Sequence, residues 1–197
     1  CRGYTTDGVG SGSPDDRSSH PVAVFPHVSA WHAAVAIVVA SGERGDEILL
    51  IRRATVRGDP WSGHIALPGG AFETSDLSLE ATARRETREE TGIDLSGSEC
   101  VARLATVTPA LATAPRVTVA PFVFSYGGAR AVYMSEEVAE FWWVPVAELR
   151  RAESWQQMSV EVGGKTIQAL GYSLRGHALW GLTERIIREF LSITPGS

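Results

Sequence analysis

Leu67-Pro68-Gly69-Gly70-Ala71-Phe72-Glu73-Thr74-Ser75-Asp76 is followed by a helix-forming run that ends Arg85-Glu86-Thr87-Arg88-Glu89-Glu90-Thr91-Gly92-Ile93. A glycine turn comes first, then an acid, then three glutamates near the end of the run. On a helix, residues three and four apart lie on one face. Glu86, Glu89 and Glu90 therefore share a face. A cluster of hard oxygen donors is what a magnesium-type ion requires. The alternative is an ordinary surface helix whose acids pair with Arg84, Arg85 and Arg88.

The helix is expected over Leu77–Thr91, with Ser75 or Asp76 as N-cap and Gly92 at the C-cap position. Leu79, Ala83 and Thr87 are expected to face a core while the acids point elsewhere. N-terminal to it, Ala34–Ala40 and Glu47–Arg53 read as paired strands around a turn at Ser41–Asp46. Thr55–Gly63 reads as a loop and His64–Leu67 as a short extended piece. Cys100–Val107, Val117–Ser125 and Phe141–Val144 read as strands. Pro145 starts a short helix to Arg150. Gln156–Val162 and Lys165–Leu170 flank Gly163-Gly164 as a hairpin. A second helix is expected over Ala178–Leu191, from the spacing of Leu179, Leu182, Ile186 and Phe190. This order predicts an α/β fold with a mixed sheet between helices.

At the glycine turn and the acidic helix the sequence resembles the Nudix hydrolase superfamily. That family's box reads G-x5-E-x7-R-E-U-x-E-E-x-G-U, with U aliphatic. Gly70, Arg85, Glu86, Glu89, Glu90, Gly92 and Ile93 match it. Asp76 stands in place of the first Glu, eight residues separate it from Arg85 instead of seven, and Thr87 replaces an aliphatic residue. The longer gap is similar to the coenzyme A pyrophosphatase-like branch. Pro68-Gly69-Gly70, Glu73, Asp76, Ser78 and Ala83-Arg84-Arg85-Glu86 fall in step with that branch.

The resemblance implies a Nudix-type α/β/α sandwich over residues 31–193. Residues 1–30, whose first part is rich in Gly, Ser and Asp, read from that composition as a flexible tail. The resemblance also implies Mg2+ or Mn2+ held by Glu86, Glu89, Glu90 and the Gly70 carbonyl. Arg85 would pair with Asp76 as a structural brace, with Glu73 as the substitute partner. The general base would be Glu89, or Glu137 in the later loop Ser135-Glu136-Glu137-Val138. Arg52 and Arg53 are candidates for substrate phosphate. Strand alternation puts them on opposite faces, so at most one reaches it. Trp61 is a candidate stacking platform or a loop anchor. His64 reads as a structural histidine, and Trp142, Trp143 and Trp180 as core or interface residues.

The expected reaction is metal-dependent hydrolysis of a pyrophosphate bond in a nucleoside diphosphate derivative, coenzyme A or a related compound foremost. One rival keeps the chemistry and changes the substrate to nucleotide sugars, dinucleotides or nucleoside triphosphates. The other is a catalytically silent ligand-binding module of the same fold. Lys and Arg total 18 against 23 Asp and Glu, a formal charge of −5, with no long basic run. This argues against general nucleic-acid or membrane-surface binding. The apolar run Ala33–Ala40 is too short to span a bilayer. Cys1 and Cys100 make no disulfide framework and no zinc motif. A cytoplasmic location and a possible homodimer complete the expectations. No G-x-S-x-G elbow, P-loop or H-E-x-x-H motif competes with the acidic helix.

Overall fold

The computed structural model describes residues 31–194 apart from 44, 58, 60, 110–116, 152–154 and 163. The expected tail over residues 1–30 lies outside the described residues. The elements run β1 (Trp31–Gly42), β2 (Gly45–Arg53), β3 (Ile65–Ala66), β4 (Gly69–Ala71), α1 (Leu79–Thr91), β5 (Glu99–Arg103) and β6 (Val117–Ser125). They continue with β7 (Val138–Pro145), α2 (Val146–Leu149), β8 (Trp155–Val162), β9 (Lys165–Leu174), β10 (His177–Trp180) and α3 (Gly181–Ile193).

Seven strands form one mixed sheet along the path β3-β2-β1-β6-β5, with β4 on β1 and β7 on β2. Among the described residues, β1 and β6 run parallel and the other pairings in this sheet are antiparallel. Side chains alternate across β1 with period two. Ala34, Ala36 and Val38 join the core under α1, with Leu49, Ala83, Ile93, Leu95, Phe122 and Phe124. Ile37 faces the opposite side, where Ile48, Leu50, Val119, Val123, Leu179, Ile186, Ile187 and Phe190 form the second core. The predicted mixed sheet between helices is therefore present. The expected hairpin of Gln156–Val162 and Lys165–Leu170 is present as β8 and β9; what pattern reading did not foresee is that β10 joins it in a separate three-stranded sheet, β10-β9-β8, in the α3 layer.

The sheet splits where the site is built. The register pairs β2 with β1 from Val39–Ile48 to Gly42–Gly45. Towards the start of β1, β4 takes that edge, pairing Ala33 with Ala71 and Val35 with Gly69. The expected glycine turn is thus a short strand, with Gly69 and Gly70 inside it. The backbones approach so closely that a Cβ on Gly69 would lie 2.2 Å from the Ala34 carbonyl oxygen and 2.6 Å from the Val35 Cα. With φ at +155°, only glycine fits there without strain.

Three boundaries differ from expectation for local physical reasons. Helix α1 starts at Leu79, because the hydroxyl of Ser78 accepts from the Ala81 N–H at 3.1 Å and takes the N-cap from Ser75 and Asp76. Ala178-Leu179-Trp180 belongs to β10, since it pairs with Ser173-Tyr172-Gly171 of β9; α3 begins only at Gly181, with φ +66°. The strand expected over Cys100–Val107 stops at Arg103, and Val107 makes an isolated bridge to Val119. No helix among the described residues is long and apolar enough to cross a membrane.

Candidate functional site

Arg85 is held before anything else in the site. Its Nε and Nη2 donate to Asp76 Oδ1 and Oδ2, each at 2.9 Å. Asp76 Oδ2 also accepts from the Glu73 N–H at 3.0 Å and the Thr82 hydroxyl at 2.9 Å. The Arg85 bond holds the Asp76 carboxyl well below the usual carboxylate range, and the pair raises Arg85 in turn. With eight residues between them, Asp76 and Arg85 still meet side by side. Glu73, the substitute partner, stands 3.9 Å away and is mostly exposed.

The remaining edge of Arg85 faces the helix acids. Its Nη1 donates to Glu86 Oε1 at 3.0 Å and to Glu89 Oε2 at 2.9 Å. Glu89 is half exposed, with 53% of its side chain accessible. The expectation that all three acids point away from the core does not hold for Glu90. It is 3% exposed, and its Oε2 accepts from the Gly69 N–H at 2.9 Å. The helix period explains this, because Glu90 follows Ala83 and Thr87 on the sheet-facing side, where both are fully buried. Thr87, at the family's aliphatic position, donates its hydroxyl to the Ala83 carbonyl at 2.7 Å and so is satisfied in a dry place.

Burial pushes the Glu90 carboxyl up to about 8; the Gly69 N–H opposes this, while Glu86 and Glu137 add to it. Burial also raises Glu86, against the pull of Arg85 and with Glu89 and Glu137 adding. Gly70 makes room for this crowding: a Cβ there would stand 2.5 Å from the Glu86 carboxylate carbon. As they stand, no three acidic, histidine or cysteine side chains among the described residues converge on one point. The donor chemistry nevertheless fits a hard divalent cation, because desolvated carboxylates that repel one another are stabilised by a shared positive charge.

These residues lie at a cavity of about 870 Å³. Gly69, Gly70, Arg85, Glu86, Glu89 and Glu137 line it, as do Arg53, Trp61 and His64. Glu137 is thus brought to the helix acids from the loop before β7. Glu90 lies behind the lining, and Asp76 supports it through Arg85.

The two strand arginines separate as alternation predicts. Arg53 lines the cavity, with Nη2 3.0 Å from Asp59 Oδ2 and its buried Nε without a hydrogen-bond partner. Arg52 does not line it; its Nε and Nη2 donate to Glu140 Oε1 at 2.8 and 2.6 Å. Trp61 is a wall residue whose backbone N–H donates to Asp59 Oδ1 at 2.9 Å, so this residue also ties down the loop. His64 meets Trp180 edge to face at 5.3 Å. Its ring is partnered by the Glu161 backbone, and burial lowers its pKa.

Trp142 and Trp143 serve packing: Trp143 donates to the Arg130 carbonyl at 3.2 Å and lies under the Arg130 guanidinium, while Trp142 packs against the core beneath α3. Trp180 is different. It lines the cavity, with Ile167, Ala169, Leu170 and Leu182. Sequence reading missed this wall. Its available signal was the pair Gly176 and Gly181, both at positive φ, bracketing His177–Trp180 as a strand.

Fold and site define an α/β protein with an acid-lined cavity beside a glycine strand. The NUDIX domain family matches residues 30–161. The uncharacterized Nudix hydrolase NudL of Photorhabdus laumondii is 30% identical over 159 residues, covering 80% of this chain and 82% of its own. The NudL protein of Yersinia enterocolitica is 30% identical over 163 residues, covering 82% and 80%. Among solved structures, a MutT/nudix family protein from Enterococcus faecalis aligns with a TM-score of 0.57 at 19% identity, over 86% of this chain and 64% of its own. The chain belongs to the Nudix family and falls in its pyrophosphohydrolase class.

Proposed function

We propose that the protein hydrolyses the pyrophosphate bond of a nucleoside diphosphate derivative with the help of Mg2+ or Mn2+, with coenzyme A or a related compound as the foremost substrate. The observation that carries this reading is the crowding of Glu86, Glu90 and Glu137 against the Gly69-Gly70 strand. The longer gap between Asp76 and Arg85, shared with the coenzyme A pyrophosphatase-like branch, supports the substrate.

Glu86, Glu89, Glu90 and the Gly70 carbonyl are the groups that would hold the metal. When bound, a divalent ion neutralises phosphate oxygens and acidifies a coordinated water. Arg85, fixed by Asp76, holds Glu86 and Glu89 in place. Arg53 lines the cavity and offers its guanidinium to a phosphate oxygen, while Asp59 keeps the guanidinium from swinging away. Trp61 borders the same space. Arg52, committed to Glu140, takes a structural part instead of a phosphate-binding one. Both Glu89 and Glu137 line the cavity, and Glu137 is the preferred general base because Glu89 is engaged by Arg85. The base removes a proton from water as the P–O–P bridge breaks, and two phosphorylated products leave.

The test is a turnover screen with Mg2+ and Mn2+ over coenzyme A, ADP-ribose, diadenosine polyphosphates and nucleoside triphosphates. Metal-dependent cleavage, fastest on coenzyme A, supports the full reading. A faster dinucleotide or triphosphate retains the chemistry and overturns the substrate. Negligible rates on every compound favour the binding module.

A further inference from the structure

Glu137 is exposed and stands on a loop, yet a general base must be held in reach of the water it deprotonates. Its backbone is tied on both sides to elements that carry the rest of the site. The Glu137 carbonyl accepts from the Ala54 N–H at 2.8 Å, directly after Arg53 at the end of β2. On the other side, the Ser135 N–H donates to the Glu90 carbonyl at 3.0 Å, and the Tyr133 N–H to the Thr91 carbonyl at 2.8 Å. The last carbonyls of a helix have no partner within it. The loop before β7 therefore caps the end of α1, on the main chain of one of its acids. Further back, Arg130 holds the same loop to β2 and β7: it pairs with Glu47 and lies 4.8 Å over the Trp143 ring.

Ser135 uses three separate groups here. Its N–H reaches Glu90, its carbonyl accepts from the Val138 N–H at 3.2 Å, and its hydroxyl accepts from the Glu137 N–H at 3.3 Å. The first bond sets the loop against α1. The other two fold Ser135–Val138 into a turn with Glu137 at its third position. A serine that opens such a turn spends its side chain on the backbone two residues on.

We propose that Ser135 is a positioning residue, whose hydroxyl holds Glu137 at a fixed place relative to the acids of α1. The inference rests on the reading of Glu137 as the general base and adds the residue that orients it. Ser135 acts through Glu137 and not on the substrate.

The experiment uses the full chain with Mg2+ and the compound cleaved fastest among coenzyme A, ADP-ribose, diadenosine tetraphosphate and GTP. Ser135→Ala should lower kcat about tenfold, with KM and the calorimetric Mg2+ affinity within about twofold of wild type. Hydrogen exchange followed by NMR should show the Glu137 amide losing protection while the Ser135 and Ala54 amides keep it. In a Glu137→Gln background Ser135→Ala should add nothing, because a residue that acts through the base has no effect once the base is gone. Ser135→Thr, which keeps the hydroxyl, should recover the rate; Ser135→Val, of the same shape without it, should not. Wild-type kcat in Ser135→Ala, or losses that add in the double variant, overturns the positioning role and leaves Glu137 as the base. Full turnover in Glu137→Gln overturns the base and this inference with it, and leaves the hydrolase reading standing. No metal-dependent turnover on any of the compounds overturns all three. The Ser135→Thr and Ser135→Val pair decides the matter even if Ser135→Ala does not fold.

Discussion

Arg85 grips Asp76 through two parallel hydrogen bonds, Nε to Oδ1 and Nη2 to Oδ2, both 2.9 Å long. The same guanidinium then turns its third nitrogen to Glu86 and Glu89. One side chain thus links the loop after β4 to the acidic face of α1. Planar, two-pronged pairing of this kind demands the arginine fork.

Removing the brace should lower both stability and rate. Asp76→Asn is expected to lower unfolding free energy by about 1–2 kcal/mol at neutral pH, as for loss of a charge-assisted bond. Arg85→Lys should resemble it, because an ammonium cannot grip two oxygens in a fixed plane. Urea unfolding monitored by circular dichroism measures this, and wild-type stability in Asp76→Asn would contradict it.

The brace also has a pH signature. Arg85 depresses the folded-state pKa of Asp76 below its unfolded value of about 3.9. The unfolded chain therefore binds the proton first, and the contribution is fully present above that value. It is lost as pH falls from about 4 towards the folded pKa. The acid limb of stability against pH should be shallower in Asp76→Asn than in the wild type.

Adjacent glycines should fail differently when a methyl group is added. Gly69→Ala places a Cβ against the Ala34 and Val35 backbone, which cannot give way; a loss of more than about 3 kcal/mol is expected. Gly70→Ala meets the end of the Glu86 side chain, which can move. It should fold, bind Mg2+ weakly by calorimetry and turn over slowly. Equal stability losses at the two positions would count against this assignment of contacts.

The acids should separate by the kind of defect. Glu90→Gln removes a carboxylate that burial disfavours, so the metal-free protein should be no less stable, while metal affinity and kcat fall by about 100-fold or more. Glu137→Gln should lower kcat by about 100-fold with metal affinity retained, the pattern of a lost general base. If Glu89→Gln shows that pattern and Glu137→Gln does not, the base is Glu89.

Arg53→Ala should raise KM by about tenfold with a smaller change in kcat, as expected for lost binding to a substrate phosphate. Arg52→Ala should leave KM near the wild-type value and lower stability, since its partner is Glu140. Steady-state kinetics and thermal melts separate the two.

The helix with its acids, the glycines before it, the alternating strands β1, β2 and β6, and the family were all legible in the sequence. Each depends on short-range spacing: a carboxylate three or four residues along a helix, or a side chain every second residue of a strand. The order of layers followed from the same periodicities. The pairing of Asp76 with Arg85 was legible as a resemblance, but the further bonds of Asp76 to the Glu73 N–H and the Thr82 hydroxyl were not.

What only the tertiary structure decided involves partners far apart in the chain. Glu90, turned towards the sheet by the helix period, finds a partner there because β4 brings the Gly69 N–H to it across 21 residues. Arg53 faces the cavity and Arg52 leaves it because β7 brings Glu140 beside the latter. The apolar wall exists because His177–Trp180 pairs with β9 instead of extending α3, although its leucine fits the helical period as well. Periodicity states which residues share a face. The acidic spacing of α1 and the pairing of β4 with β1 meet only in the folded chain, because desolvation and backbone pairing act between segments that sequence separates.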